Sequence, residues 1–146
     1  VVVTRTFSKA YGLAGLRSGF ALAQPALIEM LNRIRPPFNM NTAAQAAAAA
    51  CIDDAAFLEH VYKENRAGVA TLETFFKEQE IRYLPTTANF VLAQTGPKTA
   101  ELNTELLKRG VIVRPVKSYG LPDWLRVSVG TARENARFIE AFQERA

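Results

Sequence analysis

The sequence holds a single cysteine and a single histidine. One cysteine closes no intrachain disulfide, which excludes a disulfide-stapled scaffold and favours a reducing, cytoplasmic setting. That cysteine, Cys51, sits in an alanine-rich run and reads as a small core residue. The histidine, His60, has no second histidine and no cysteine beside it, so no metal-ligand spacing exists. No apolar run reaches the length of a membrane span, and nothing in the first residues reads as a secretory signal. Blocks of like charge are absent as well. The basic residues are scattered and the net charge is only +4, which argues against a nucleic-acid surface. There is no internal repeat.

What is present reads as globular. Of 146 residues, 49% are hydrophobic and 22% charged, enough for one ordinary domain or slightly more. The sequence starts at Val1, within a strand-like run, so a piece of a longer polypeptide is expected.

Val1 to Thr6 reads as a short buried strand and Gly19 to Ala23 as a second strand. Pro25 stands at a first helical position, with Leu27, Ile28, Leu31 and Ile34 following at helical spacing until Pro36-Pro37 stops the run. Thr42 and Gln45 have the spacing of a capping box before the alanine-rich helix. A long amphipathic helix follows Asp53-Asp54, with Phe57, Leu58, Val61, Tyr62, Val69, Leu72, Phe75 and Phe76 on its apolar face.

From Ile81 the texture changes to short β-like runs, "IRYLP", "NFVLAQ", "VIVRPV" and "WLRVSVG". Between them "TAELNTELLKRG" reads as a helix ended by Gly110. Thr131 and Glu134 form a second capping box for a last helix with Phe138, Ile139 and Phe142 inward. The expectation is an α/β chain in two parts, residues 1–53 and 54–146, the second a small α/β domain with a mainly antiparallel sheet.

The stretch "TFSKAYGLAGLR" carries the chemistry. Lys9 follows a strand end, where a rigid scaffold meets an exposed loop. A lysine whose amine is neutral is a nucleophile toward aldehydes. Ser8 adds a hydroxyl beside it, and Arg17 offers a planar fork suited to phosphate. Gly12 and Gly15 let the loop turn sharply. Together these are the parts needed to hold a phosphorylated aldehyde; the plain alternative is a turn with two surface cations. A dinucleotide loop does not fit the glycine spacing, and no acidic residue follows at the required distance.

"TFSKAYGLAGLRSGF" resembles the pyridoxal-phosphate lysine motif of the aspartate-aminotransferase-like enzymes, fold type I. The resemblance runs on through "PPFNMNTAAQ", "TTANFVL", "GVIVRPV" and "YGLPDWLRVSVGTARENARF", and it is strongest to the branch that contains histidinol-phosphate aminotransferase. It implies pyridoxal 5'-phosphate as cofactor, with Lys9 as the catalytic lysine that joins the cofactor aldehyde and Ser8 and Arg17 at its phosphate. It implies that Arg126 grips the substrate α-carboxylate and that Arg114 lies near the substrate. Asn89 falls in a family string, but backbone hydrogen bonding near a strand is its expected role. Residues 1–53 would then belong to the large cofactor-binding domain.

The implied reaction is amino transfer between a small-molecule donor and a 2-oxo acid, by a homodimer. Histidinol phosphate and 2-oxoglutarate are the favoured pair. An aromatic amino-acid aminotransferase and a threonine-phosphate decarboxylase are the alternatives within the branch, and a non-catalytic association module is the alternative outside it. The family's N-terminal half, which grips the cofactor ring, does not lie in this sequence, so the chain by itself is expected to be inactive.

Overall fold

The computed structural model describes residues 1–144. The chain falls into two units, Val1–Tyr62 and the residues from Lys63 on.

In the first unit, β1 (Val3–Thr6) pairs antiparallel with β2 (Gly19–Leu22) as a two-stranded ribbon. Both strands are exposed along their length, so the expectation of a buried strand at Val1–Thr6 is corrected. A valine run has the composition of a buried strand, but burial needs a layer on each face, and neither strand of this ribbon is covered. Helix α1 (Pro25–Ile34) begins with proline at its first turn and ends before Pro36. Helix α2 (Thr42–Ile52) buries Ala44 and Ala48, one turn apart. Its cap is also a correction. Asn41, not Thr42, is the N-cap, and its side-chain oxygen accepts from the Ala44 amide at 2.8 Å. Asparagine caps at least as well as threonine, so the helix starts one residue earlier than the Thr42–Gln45 spacing suggests. Gln45 turns back to donate to the Met40 carbonyl instead.

Helix α3 (Ala55–Glu78) starts in the first unit, where the Asp54 carboxylate accepts from the Phe57 amide at 3.0 Å. Its buried residues, Gly68, Val69, Leu72, Phe75 and Phe76, all lie in the second unit. Phe57 and Tyr62, expected on the same apolar face, are exposed.

The second unit is a four-stranded antiparallel sheet of order β3-β4-β6-β5, with α4 (Thr99–Lys108) and α5 (Ala132–Gln143) alongside α3. The strands are β3 (Tyr83–Leu84), β4 (Phe90–Gln94), β5 (Arg114–Val116) and β6 (Leu121–Ser128). One face of the sheet makes the core. Val91 and Ala93 of β4 stand opposite Val127 and Leu125 of β6, and Leu72, Phe75, Phe76, Leu102, Leu106, Phe138 and Phe142 close over them. Phe75 and Phe142 meet edge to face with centroids 5.3 Å apart. Each fully buried Leu or Phe stabilises the fold by about 1.5–3 kcal/mol over exposure.

Close approach sets one residue type in this core. A Cβ on Gly68 would collide with Val129 Cγ1 and come within 2.9 Å of Asn135 Nδ2, so only glycine fits this turn of α3. The buried Asn135 amide donates to the Gly130 carbonyl at 3.0 Å and accepts from the Gly130 amide at 2.9 Å, pinning the turn between β6 and α5.

Candidate functional site

The loop between β1 and β2 is closed at its neck by backbone bonds. The Phe7 amide donates to the Ser18 carbonyl at 3.2 Å, and the Leu13 amide donates to the Phe7 carbonyl at 2.9 Å. Phe7 is buried against Tyr11, with ring centroids 5.1 Å apart. These contacts make a stiff base. Ser8 and Arg17 are the residues next to the closing Phe7–Ser18 pair, so the two ends of the motif meet there. Lys9 starts a tight turn in which its carbonyl accepts from the Gly12 amide at 2.9 Å, and Gly12 takes the left-handed conformation with φ 70°.

Lys9 is exposed, and its side-chain nitrogen has no hydrogen-bond or ion-pair partner among the described residues. Ser8 is half-buried and its amide donates to Thr6 Oγ1 at 3.0 Å. Arg17 follows a 3₁₀ turn at Ala14–Leu16 and is left-handed, with φ 56° and ψ 47°. Its Nη1 donates to the Ala14 carbonyl at 2.9 Å, which steadies the guanidinium and leaves its other N–H groups open. A non-glycine residue in this region costs free energy that the surrounding structure must supply, a feature that clusters at ligand sites. Ser18, which the sequence reading did not single out, is buried with its hydroxyl unpartnered. Serine beside Arg17 carried no signal in the sequence; burial alone marks it.

Arg114 and Arg126 belong to the second unit. They are direct cross-strand partners on β5 and β6, with Leu92 of β4 completing the row. All three therefore lie on the sheet face opposite the core. Arg126 is half-buried, its Cζ lies 5.3 Å from the Phe90 ring centroid, and its Nε is sealed from water with no hydrogen-bond partner. Arg114 is exposed; it reaches the Tyr119 hydroxyl at 3.5 Å and lies 6.0 Å from that ring's centroid. Strand parity along β6 puts Leu125 and Val127 on one face and Arg126 on the other, and the core residues follow that split. The pairing of the two arginines was not legible, because register is a property of two strands. Asn89 contributes its backbone, its carbonyl accepting from the Val129 amide at 2.9 Å.

The donor set can be tested against a phosphorylated aldehyde. A free primary amine, an adjacent hydroxyl and a steadied guanidinium stand in one loop with a stiff neck, and they fit an aldehyde and a phosphate. Elsewhere the chemistry is thinner. No cluster of metal-ligating side chains occurs among the described residues. No helix among them is long and apolar enough to cross a membrane.

A model of the family "Aminotransferase class I and II" matches residues 1–142. Histidinol-phosphate aminotransferase 1 of Thiobacillus denitrificans is 54% identical over 99% of this chain and 37% of its own length. The crystal structure of histidinol-phosphate aminotransferase from Sinorhizobium meliloti in complex with pyridoxal-5'-phosphate superposes with a TM-score of 0.85 at 28% identity, covering 100% of this chain and 42% of that one. L-threonine-O-3-phosphate decarboxylase from Porphyromonas gingivalis superposes at 0.81 with 26% identity, covering 98% and 46%. The chain spans about two fifths of the length of the curated relatives it matches.

Proposed function

Because the chain belongs to the aminotransferase class I and II family, we propose that the enzyme it forms part of transfers the amino group of histidinol phosphate to 2-oxoglutarate with pyridoxal phosphate as cofactor. The observation that carries the chemistry is the free amine of Lys9 in a loop whose neck sets Ser8 beside Arg17. The choice of substrate is supported by the name of the 54%-identical relative.

In this reading Lys9 would be the attachment point for the cofactor, and Ser8 and Arg17 would hold its phosphate. Pyridoxal phosphate supplies the electron sink for the pair left on Cα. With its amine free, Lys9 would be the base that takes the proton from Cα. A primary amine on a flexible stem suits both tasks, attachment and proton transfer. Arg126 holds the anionic group attached next to the reacting carbon. In glutamate and 2-oxoglutarate that group is a carboxylate. Histidinol phosphate carries no carboxylate; a CH2–O–phosphate stands on Cα in its place. The guanidinium fork accepts either anion. Holding it fixes the direction of the Cα–H bond, which is a positioning contribution. Arg114, on the same face, would add a second positive charge near the substrate. A homodimer is the expected assembly.

The experiment is borohydride reduction of the full-length enzyme in pyridoxal phosphate, followed by peptide mapping. The label is expected on Lys9; finding it on Lys63, Lys77 or Lys108 instead would overturn the assignment. Decarboxylation of a phosphorylated amino acid is the second reading, supported by the fold likeness to the threonine-phosphate enzyme. Release of carbon dioxide without keto-product formation would favour it.

A further inference from the structure

Guanidinium groups on aromatic rings recur on the sheet face opposite the core. Arg126 lies 5.3 Å from the Phe90 centroid, Arg114 lies 6.0 Å from that of Tyr119, and Arg82 lies 5.6 Å from that of Trp124. The Arg126 pair differs from the others in one respect: its Nε is buried and unpartnered. Arg126 is half-buried, and no carboxylate bonds to it among the described residues. Among the described residues it has no direct ion pair, while a ring covers one side of it.

We propose that Phe90 is a positioning residue, whose ring holds the Arg126 guanidinium for the substrate anion; this rests on the reading that Arg126 takes that anion. The physical reason is competition. A carboxylate partner would orient the guanidinium, but it would also neutralise it and occupy the N–H groups the substrate needs. An aromatic face attracts the cation through its quadrupole and accepts no in-plane hydrogen bond, so the fork stays open. Phe90 can do this because its own backbone is fixed. It stands in β4 opposite Ser128 of β6, which makes it the diagonal neighbour of Arg126, within reach of an aromatic side chain. The burial of Nε then directs the donors that remain open to the Nη end.

The test uses the full-length, cofactor-loaded enzyme and four variants: Phe90→Leu, Phe90→Tyr, Arg126→Ala and the double variant Phe90→Leu/Arg126→Ala. Phe90→Leu is expected to lower kcat/KM for both the amino donor and 2-oxoglutarate by about three- to thirty-fold, the range a cation–π contact supports. Inhibition by succinate, a non-reacting dicarboxylate, should weaken by a similar factor. Phe90→Tyr, which keeps the ring, should restore both to within about two-fold. In the Arg126→Ala background, Phe90→Leu should add nothing, since the group it positions is gone. Phe90→Met, which keeps the bulk, replaces Phe90→Leu if that variant does not fold. A silent Phe90→Leu beside a damaging Arg126→Ala overturns the proposal alone. So does a loss that tyrosine fails to rescue, or one that persists without Arg126. A silent Arg126→Ala overturns the reading of Arg126 and the proposal with it.

Discussion

Arg126 is where a single side chain decides most. Its fork can make two parallel bonds to a carboxylate or a phosphate, and lysine, a point charge, cannot reproduce them. Because the residue is half-buried, the cost is that of hydrogen bonds to a charged group rather than of a fully desolvated pair. Arg126→Lys is expected to lower kcat/KM by about ten- to a hundred-fold, corresponding to roughly 1.5–3 kcal/mol. Under the proposed reaction both substrates should be affected, because each would bring an anion to the same side of the reacting carbon. Steady-state kinetics with each substrate varied in turn makes the measurement; a change under about three-fold for either would return Arg126 to the role of an ordinary surface cation.

Helix ends show how local chemistry is set element by element. Both α4 and α3 finish in the same six-residue closure. At α4 the Val111 amide donates to the Leu106 carbonyl and the Gly110 amide to Leu107, with Gly110 left-handed at φ 76°. At α3 the Ile81 amide donates to Phe76 and the Glu80 amide to Lys77, but Glu80 occupies the left-handed position at φ 55°. A side chain is disfavoured there, and glycine is not. Glu80→Gly is therefore expected to raise stability, by about 0.5–1 kcal/mol, the reverse of the usual glycine penalty. A denaturant midpoint that falls in this variant would contradict the closure.

At the start of α5, Glu134 accepts from the Thr131 amide at 2.7 Å and from the Thr131 hydroxyl at 2.8 Å. The backbone bond first, and the hydroxyl second, hold its carboxyl below the ordinary carboxylate value. The sign follows from that lowering. The stabilisation is fully present above the unfolded-state value and is lost as pH falls through the lowered one. Glu134→Gln should thus be less stable than the parent near neutral pH, and the gap should close below about pH 4. Thermal melts of both proteins across that range would show it; a gap that stays constant into acid would mean the carboxylate charge is not used.

Over the whole molecule, burial is uneven. The second unit holds the connected core of Leu72, Phe76, Val91, Leu106, Leu125 and Phe142, while the first unit buries Phe7, Ser18, Ala44 and Ala48. Local opening costs least where few apolar groups are buried. Hydrogen exchange of this chain should therefore be slowest in β4, β6 and the Val69–Phe76 part of α3, and fast in β1 and β2. Equal protection of the two regions would show that the ribbon gains stability from something other than burial.

Some of this was written in the residues one at a time. Pro25 starting α1, Gly110 ending α4, and Thr131 with Glu134 opening α5 all act within a few residues, so their types suffice to place them. The alternation of β6 likewise separated Leu125 and Val127 from Arg126, because a strand's two faces are a matter of parity. The lysine motif was legible as a string of residue types suited to one chemistry. What the string could not supply was anything requiring a second segment. Val1–Thr6 has the composition of a buried strand, but cover is supplied by other elements, and here the ribbon is exposed. Asn41 outcompeted Thr42 as the cap because two adjacent candidates differ only in which start the surrounding chain admits. The Arg114–Arg126 row, the Phe90 ring beside Arg126 and the Gly68 contact with Val129 exist only once strand register and helix packing are set. They depend on distances between residues far apart in the chain, and those distances are decided by how the sheet pairs and the core closes.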